Sequence, residues 1–191
     1  QSSISNEKKV ILSSDKDFFQ LLDASTFIRR PQKEYIFDVE KCIEEYGIHP
    51  INFGWAKAIT GDTSDNIPGI PGAGFKTVSK RFSSIKKPEK MTLQDFVKTS
   101  EEELKDGKKI KIFEDFLNPA NIQLLETNYR IIQLYETEML SETKENIETN
   151  ISHFSPEWSK MVVINMMKED EIFHQSSWDM LFDFCRRSVL C

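Results

Sequence analysis

The sequence predicts an α/β fold in which a small, mostly parallel sheet runs into a helical C-terminal region. Three observations carry this. Val10-Ile11-Leu12 is a short apolar run bounded by small polar residues, the pattern of a buried parallel strand. Two further strand-like runs follow at residues 26–30 and 34–37, joined through Pro31-Gln32-Lys33. From residue 75 onward, apolar residues recur at helical spacing in one segment after another.

Residues 1–9 are polar and read as a loop or helix tail. The first strand ends at Ser13-Ser14-Asp15, so Asp15-Lys16-Asp17 sits where a strand gives way to a short helix. Phe18, Phe19, Leu21 and Leu22 supply that helix with apolar faces, and Ser14 or Asp15 caps it. Asp38 caps a helix over Val39–Tyr46, which Gly47 stops. Pro50 opens the next helix, with Phe53, Trp55, Ala56, Ala58 and Ile59 as its buried side. Most of the chain's seven glycines then fall within residues 61–76, so the backbone there takes an unusual path. A helix over 75–82 turns Val78 and Phe82 inward and Lys76, Lys80 and Arg81 outward, and Lys86, Lys87 and Lys90 extend the positive charge. Helical patterns continue at 93–99, 109–117, 120–133, 156–167 and 178–188. The chain therefore divides into residues 1–60, 61–90 and 91–191.

Composition narrows the function classes. The 191 residues are 39% hydrophobic and 29% charged, enough for a packed core and against wholesale disorder. The net charge of −6 argues against a histone-like binder but permits a basic patch on an acidic body. No apolar run approaches the roughly 18 residues that span a bilayer. Cys42, Cys185 and Cys191 are scattered without a CxxC, which disfavours a disulfide scaffold or structural zinc. No secretory pattern is present, so a reducing, cytoplasmic setting is expected. His49, His153 and His174 stand alone, and Cys42 reads as buried and inert. Phe113, Phe116, Trp158, Phe173, Trp178, Phe182 and Phe184 read as core rather than as a base-stacking platform. The segment 178–191 reads as a packing helix or a partner-binding helix.

Four aspartates fall into two pairs, Asp15 with Asp17 and Asp62 with Asp65. The first pair lies at the carboxyl end of a strand, where open α/β sheets put their sites. The i, i+3 spacing of the second aims both side chains one way on a helical turn. Each pair alone also reads as ordinary capping. Four gathered carboxylates repel unless a divalent cation sits among them, and hard oxygen donors suit Mg²⁺ or Mn²⁺. Such sites hydrolyse phosphodiesters by activating water and stabilising the leaving oxygen. An EF-hand fails here, since Ser64 stands at its third ligand position and Ile67 where its glycine belongs.

Gly69-Ile-Pro-Gly72-Ala-Gly74-Phe-Lys76 directly precedes the basic helix. Glycines let backbone amides lie against a phosphate, the helix start favours the anion, and Lys76 adds charge. Helix-hairpin-helix elements hold a DNA backbone this way without reading bases. The stretch is neither a Walker loop nor a GxGxxG dinucleotide site. A plain turn between helices is the other reading, against which the cluster Lys76, Lys80, Arg81, Lys86, Lys87 and Lys90 weighs.

The order and spacing of Ser14-Asp15-Lys16-Asp17-Phe18-x-Gln20-Leu21 and Gly61-Asp62-x-x-Asp65-Asn66-Ile67-Pro68-Gly69-Ile-x-Gly72-x-Gly74-x-Lys76 resemble the structure-specific 5′ nucleases. These comprise flap endonucleases, the 5′-3′ exonuclease domain of bacterial DNA polymerase I, and bacteriophage 5′-3′ exonucleases and ribonuclease H. The pattern covers about the first 90 residues, and the helical remainder is more loosely similar to the phage members. The resemblance implies the C-terminal part of a PIN-like parallel-sheet nuclease core, a helix-hairpin-helix and a mainly helical C-terminal region. It implies that Asp15, Asp17, Asp62 and Asp65 are catalytic metal ligands for Mg²⁺ or Mn²⁺. It implies that Gly69, Gly72, Gly74, Lys76, Lys80 and Arg81 hold duplex DNA, with K⁺ bound by carbonyls of the 69–74 loop. The expected activity is two-metal 5′-3′ exonuclease or flap endonuclease hydrolysis of DNA or RNA primer 5′ ends, in a bacterial or phage-infected cytoplasm. Expected partners are 5′-flap duplexes or RNA–DNA hybrids, a single-strand-binding protein, and a separate N-terminal nuclease half. The last follows because the family's N-terminal acidic cluster and basic arch have no counterpart here, so an isolated fragment is expected to be inactive. The competing reading is a non-catalytic duplex-binding module.

Overall fold

The computed structural model describes residues 8–171 apart from 32, 34, 106, 108, 136–138 and 154–158. The chain separates into two compact units, Gln1–Glu138 and Met139–Cys191.

In the first unit, β1 (Lys9–Leu12) lies parallel to β2 (Thr26–Arg29), with Lys9 opposite Thr26 and Leu12 opposite Arg29. β3 (Ile36–Phe37) pairs antiparallel with β2, giving the order β1-β2-β3. The expected strand at 10–12 is present, but it is not buried on both faces. Val10 is 57% and Leu12 72% exposed, while Lys9 and Ile11 are half-buried. Among the described residues the core covers one side of this strand, so its apolar run faces solvent on alternate residues.

The connection from β1 to β2 is a 3-10 turn, Lys16–Leu21. Asp38 caps α1 (Val39–Tyr46) by accepting the Lys41 N–H at 2.8 Å, and Gly47 ends it with φ 68°. Pro50 opens a 3-10 turn, Pro50–Asn52, which leads into α2 (Phe53–Thr60). After the glycine-rich loop come α3 (Phe75–Arg81), α4 (Leu93–Leu104), α5 (Lys111–Leu117) and α6 (Pro119–Ile132). α4 runs beyond the expected end at 99. A Thr92–Asp95 capping box starts it firmly, and buried Ser100 and half-buried Leu104 continue its inner face through the Glu101-Glu102-Glu103 run.

Rings dominate the core. Phe19 stacks on Phe37 with centroids 4.4 Å apart, and Phe53 stacks on Phe75 at 5.3 Å. Phe82 meets Phe96 at 5.1 Å, Phe113 at 5.4 Å and Phe116 at 4.8 Å. Trp55 lies flat on Tyr129 at 3.9 Å, joining α2 to α6. Phe113 and Phe116 are thus core residues, as their spacing suggested. Trp158, Phe173, Trp178, Phe182 and Phe184 lie outside the described residues, as does the expected helix at 178–188.

In the second unit, α7 (Ser141–His153) and α8 (Lys160–Glu169) carry no buried residues. α8 corresponds to the helix expected at 156–167, whereas α7 lies outside the helical patterns of the sequence. Among the described residues no helix is long and apolar enough to cross a membrane.

Candidate functional site

Asp15 and Asp17 stand where β1 passes into its 3-10 turn. Asp15 is the cap, its Oδ1 accepting the Asp17 N–H at 2.9 Å. The turn is anchored by Gln20, which is fully buried. Gln20 Nε2 donates to the Asp17 carbonyl at 3.2 Å and to the Ile132 carbonyl at 3.1 Å, tying the turn to the end of α6. The Tyr135 hydroxyl donates to the Gln20 carbonyl.

α2 meets this turn with a lysine. All of Phe53 to Ile59 are buried, Lys57 among them. Lys57 Nζ contacts Asp17 Oδ1 and lies 2.7 Å from Asp62 Oδ2. The side chains of Lys57, Asp17 and Asp62 are 6%, 28% and 20% exposed respectively. Burial works against the Lys57 charge, but hydrogen bonds to Asp17 and Asp62 outweigh it and hold the ammonium above its ordinary pKa. The Lys57 contact and then the Ser64 hydroxyl hold Asp62 well below the usual carboxylate range, against the opposing effect of burial.

Asp62 and Asp65 do not lie on a helical turn. Asp62 and Ile67 exchange backbone hydrogen bonds of 2.9 and 2.8 Å, closing a tight loop with Asn66 at φ 57°. The Asp62 carboxylate accepts the Ser64 N–H at 2.9 Å, a local bond that Asp, Ser and Asn offer in place of helix. Asp65 is exposed.

The loop base is a crossing of two backbones. Gly61 has φ 73°, and a Cβ there would lie 2.4 Å from the Gly69 nitrogen. The last carbonyls of α2 find donors from this crossing and from α6. Lys57 O accepts from Gly61 N at 2.8 Å and Ile59 O from Ile70 N at 2.8 Å. Asn128 Nδ2, buried on α6, donates to Ala58 O at 3.0 Å and to Pro68 O at 2.7 Å.

The structure therefore brings Asp17 and Asp62 together, about one ammonium, and leaves Asp15 as a cap and Asp65 exposed. Among the described residues no group of three or more His, Cys, Asp or Glu is arranged to hold a metal ion. The donors are of the type that suits a hard divalent cation, but in this arrangement two of them share a lysine instead.

Beyond the crossing, Ile70 and Ala73 are buried while Gly72 and Gly74 are exposed. A Cβ at either glycine would meet nothing within 4 Å. Gly72 has φ 78°, which accounts for its lack of a side chain; Gly74, at φ −78°, is not constrained in this way. Lys76, Lys80 and Arg81 are exposed on α3, as are Lys86, Lys87 and Lys90 after it. Asn52 anchors this last stretch from inside. Its Nδ2 donates to the carbonyls of Ile85 (3.3 Å), Lys87 (3.2 Å) and Glu89 (2.9 Å), and its Oδ1 accepts from Met91 N at 2.8 Å.

Lys57, Asn52 and Asn128 were not found by sequence reasoning, and Gln20 entered only as a motif position without a role. Lys57 left a signal, a single charge inside an otherwise apolar helix pattern five residues before Asp62. Asn52 and Asn128 left none, since their partners are backbone groups distant in sequence. His49 is half-buried and caps the Pro50–Asn52 turn, its Nδ1 accepting from Ile51 N at 3.3 Å. Cys42 is fully buried, and burial pushes its thiol up to about 12.

Comparison with known proteins finds relatives named 5′-3′ exonuclease, of which this chain matches a part. The chain is 28% identical over 182 residues to a 5′-3′ exonuclease of Aquifex aeolicus, covering 92% of this chain and 57% of that protein. It is 43% identical over 83 residues to a 5′-3′ exonuclease of Buchnera aphidicola from Schizaphis graminum, covering 42% of this chain and 29% of that one. Its matches to these relatives thus span between about a third and little over half of their length. No family model matches the chain. Its fold is similar to that of T5 5′-exonuclease with bound divalent zinc, with TM-score 0.53 and 21% identity over 66% of this chain and 43% of that one.

Proposed function

We propose that this chain is part of a metal-dependent 5′-3′ nuclease, supplying some of its metal ligands and its grip on duplex DNA. The observation that carries the reading is the meeting of Asp17 and Asp62, distant in sequence, beside the exposed glycine hairpin. In this reading Asp15, Asp17, Asp62 and Asp65 are ligands of Mg²⁺ or Mn²⁺. A bound ion of this kind activates water and stabilises the leaving oxygen. Residues 61–90 form the helix-hairpin-helix element, with Gly69, Gly72, Gly74, Lys76, Lys80 and Arg81 against a phosphate backbone and K⁺ at the loop carbonyls. Residues 1–60 belong to a PIN-like core. Open space at Gly74, where neither φ nor packing demands glycine, supports close approach by another backbone. The relatives named 5′-3′ exonuclease support a nucleic-acid substrate; in this reading its form is a 5′-flap duplex or an RNA–DNA hybrid.

The test is cleavage of a 5′-labelled flap duplex with Mg²⁺, by this chain and its D15A/D17A and D62N variants. Cutting that the variants lose while still binding duplex supports a site within these residues. Equal cutting by D62N refutes its role as a ligand. The lysine between the two carboxylates favours a second reading, a duplex-binding module with no complete metal site of its own. That reading expects binding without cutting, and a smaller salt dependence of binding in Lys76→Ala/Lys80→Ala.

A further inference from the structure

We propose that Lys57 is a built-in counter-cation that competes with a divalent metal ion for Asp17 and Asp62, so that the ion binds this pair only when the ammonium leaves. The proposal rests on the ligand reading of those two aspartates given above.

Three observations carry it. First, Lys57 is placed where a lysine is costly. Its side chain is 6% exposed, and its neighbours on α2 from Phe53 to Ile59 are all buried. A charge in such a place persists only with partners that replace its lost water. Second, those partners are both carboxylates, and they come from different segments: Asp17 from the turn after β1 and Asp62 from the loop after α2. One Nζ touches both, so it holds the space between the two oxygens. Third, Lys57 supplies the ion pairs of both carboxylates among the described residues. Among the described residues no third acid or histidine joins the pair.

An ammonium is a compact single charge with directed N–H donors, whereas a divalent ion draws carboxylate oxygens closer and carries twice the charge. A dication brought to the same two oxygens meets Lys57 as a like charge at contact distance, which opposes its binding there. The lysine has a four-carbon stem on which its head can swing toward solvent. In the absence of metal, Lys57 keeps Asp17 and Asp62 close when they would otherwise repel. The cost of parting the ammonium from them is subtracted from metal affinity.

The experiment is Mn²⁺ binding by calorimetry to the full chain, in wild type, Lys57→Met, Lys57→Gln and the double variant Lys57→Met/Asp62→Asn. The expected result is that Lys57→Met and Lys57→Gln bind Mn²⁺ about tenfold more tightly than wild type or better, as for release of a competing ligand. Mn²⁺ also raises their melting temperature more than it raises that of wild type, and Asp62→Asn removes both gains. Equal affinity in wild type and Lys57→Met, lost on adding Asp62→Asn, overturns the competition and leaves the ligand reading standing. Weaker binding in Lys57→Met makes the lysine a support for the ligands and also overturns it. Affinity indifferent to Asp62→Asn, or no binding in any form, refutes the ligand reading itself.

A second readout needs no variant. Lysine acylation followed by mass spectrometry should find Lys57 slow in EDTA and several-fold faster in saturating Mn²⁺, relative to exposed Lys80. An unchanged Lys57 rate overturns the proposal.

Discussion

Replacing Asn128 with alanine tests whether one buried amide holds the Asp62 loop to the body of the protein. Its Nδ2 donates to Ala58 O at 3.0 Å and to Pro68 O at 2.7 Å, at a residue 3% exposed. Truncation leaves the buried Ala58 carbonyl without this donor, whereas the Pro68 carbonyl belongs to an exposed residue and can turn to water. A buried polar group left unsatisfied costs about 1–3 kcal/mol, so one of them and a small cavity make about 2–4 kcal/mol. With an m-value of about 2 kcal/mol per molar urea, the unfolding midpoint falls by about 1–2 M. Urea unfolding followed by circular dichroism measures the total, and hydrogen exchange locates it. The Ile70 amide, which donates to Ile59 O across the same crossing, should lose protection before the amides of α4 and α5. Asn128→Asp should be no better than alanine, since it keeps the shape and loses the donor. A destabilisation below about 1 kcal/mol, or unchanged protection at Ile70, would refute the reasoning.

Phe82→Ala removes a ring that meets Phe96, Phe113 and Phe116, and should cost about 3–5 kcal/mol by thermal denaturation. Gly61→Ala should cost at least about 2 kcal/mol in the same assay, because its φ of 73° and a Cβ 2.4 Å from Gly69 N both oppose a side chain. Gly74→Ala should stay within about 0.5 kcal/mol of wild type yet weaken duplex binding in a titration, since its Cβ would project into open space. Acid should weaken the fold through Asp62. Its folded pKa is depressed below the unfolded value of about 3.9, so its contribution is complete above that pH and is lost as pH falls below it. Urea midpoints at pH 3 and pH 6 should differ more in wild type than in Asp62→Asn.

Legibility in the sequence followed the range of the interactions. α1 could be read from Asp38 and Gly47 because its start and stop are local chemistry, and α3 to α6 from apolar spacing. The exposure of Val10 and Leu12 could not be read, because apolar composition does not tell how many faces of a strand are covered. α7 falls outside the helical patterns because its polar sequence offers no apolar stripe, the signal on which the other helices were recognised. At the candidate site, the Asp15 cap and the glycine hairpin were visible as motifs. The meeting of Asp17 with Asp62 was expected from two spacings, but one of them was referred to the wrong local structure, since the Asp62 side chain folds back on Ser64. Lys57 was passed over because a lysine in a helix ordinarily reads as solvated, although its place in an apolar run was a signal; the packing of α2 shows it buried.

The clasp made by Asn52 bears on how the lysines after α3 meet an anion. A basic segment that is loose when free must be immobilised as it binds, and that loss is charged against affinity. Here one interior amide engages the carbonyls of Ile85, Lys87 and Glu89 and the N–H of Met91, so the main chain beneath Lys86, Lys87 and Lys90 has its course set during folding. In the duplex-binding reading proposed above, a phosphate chain has only side-chain rotamers left to order, about 0.5–1.5 kcal/mol for each one it immobilises. The lysines behave as a row of tethered charges on a rigid rail, with a spacing determined inside the protein.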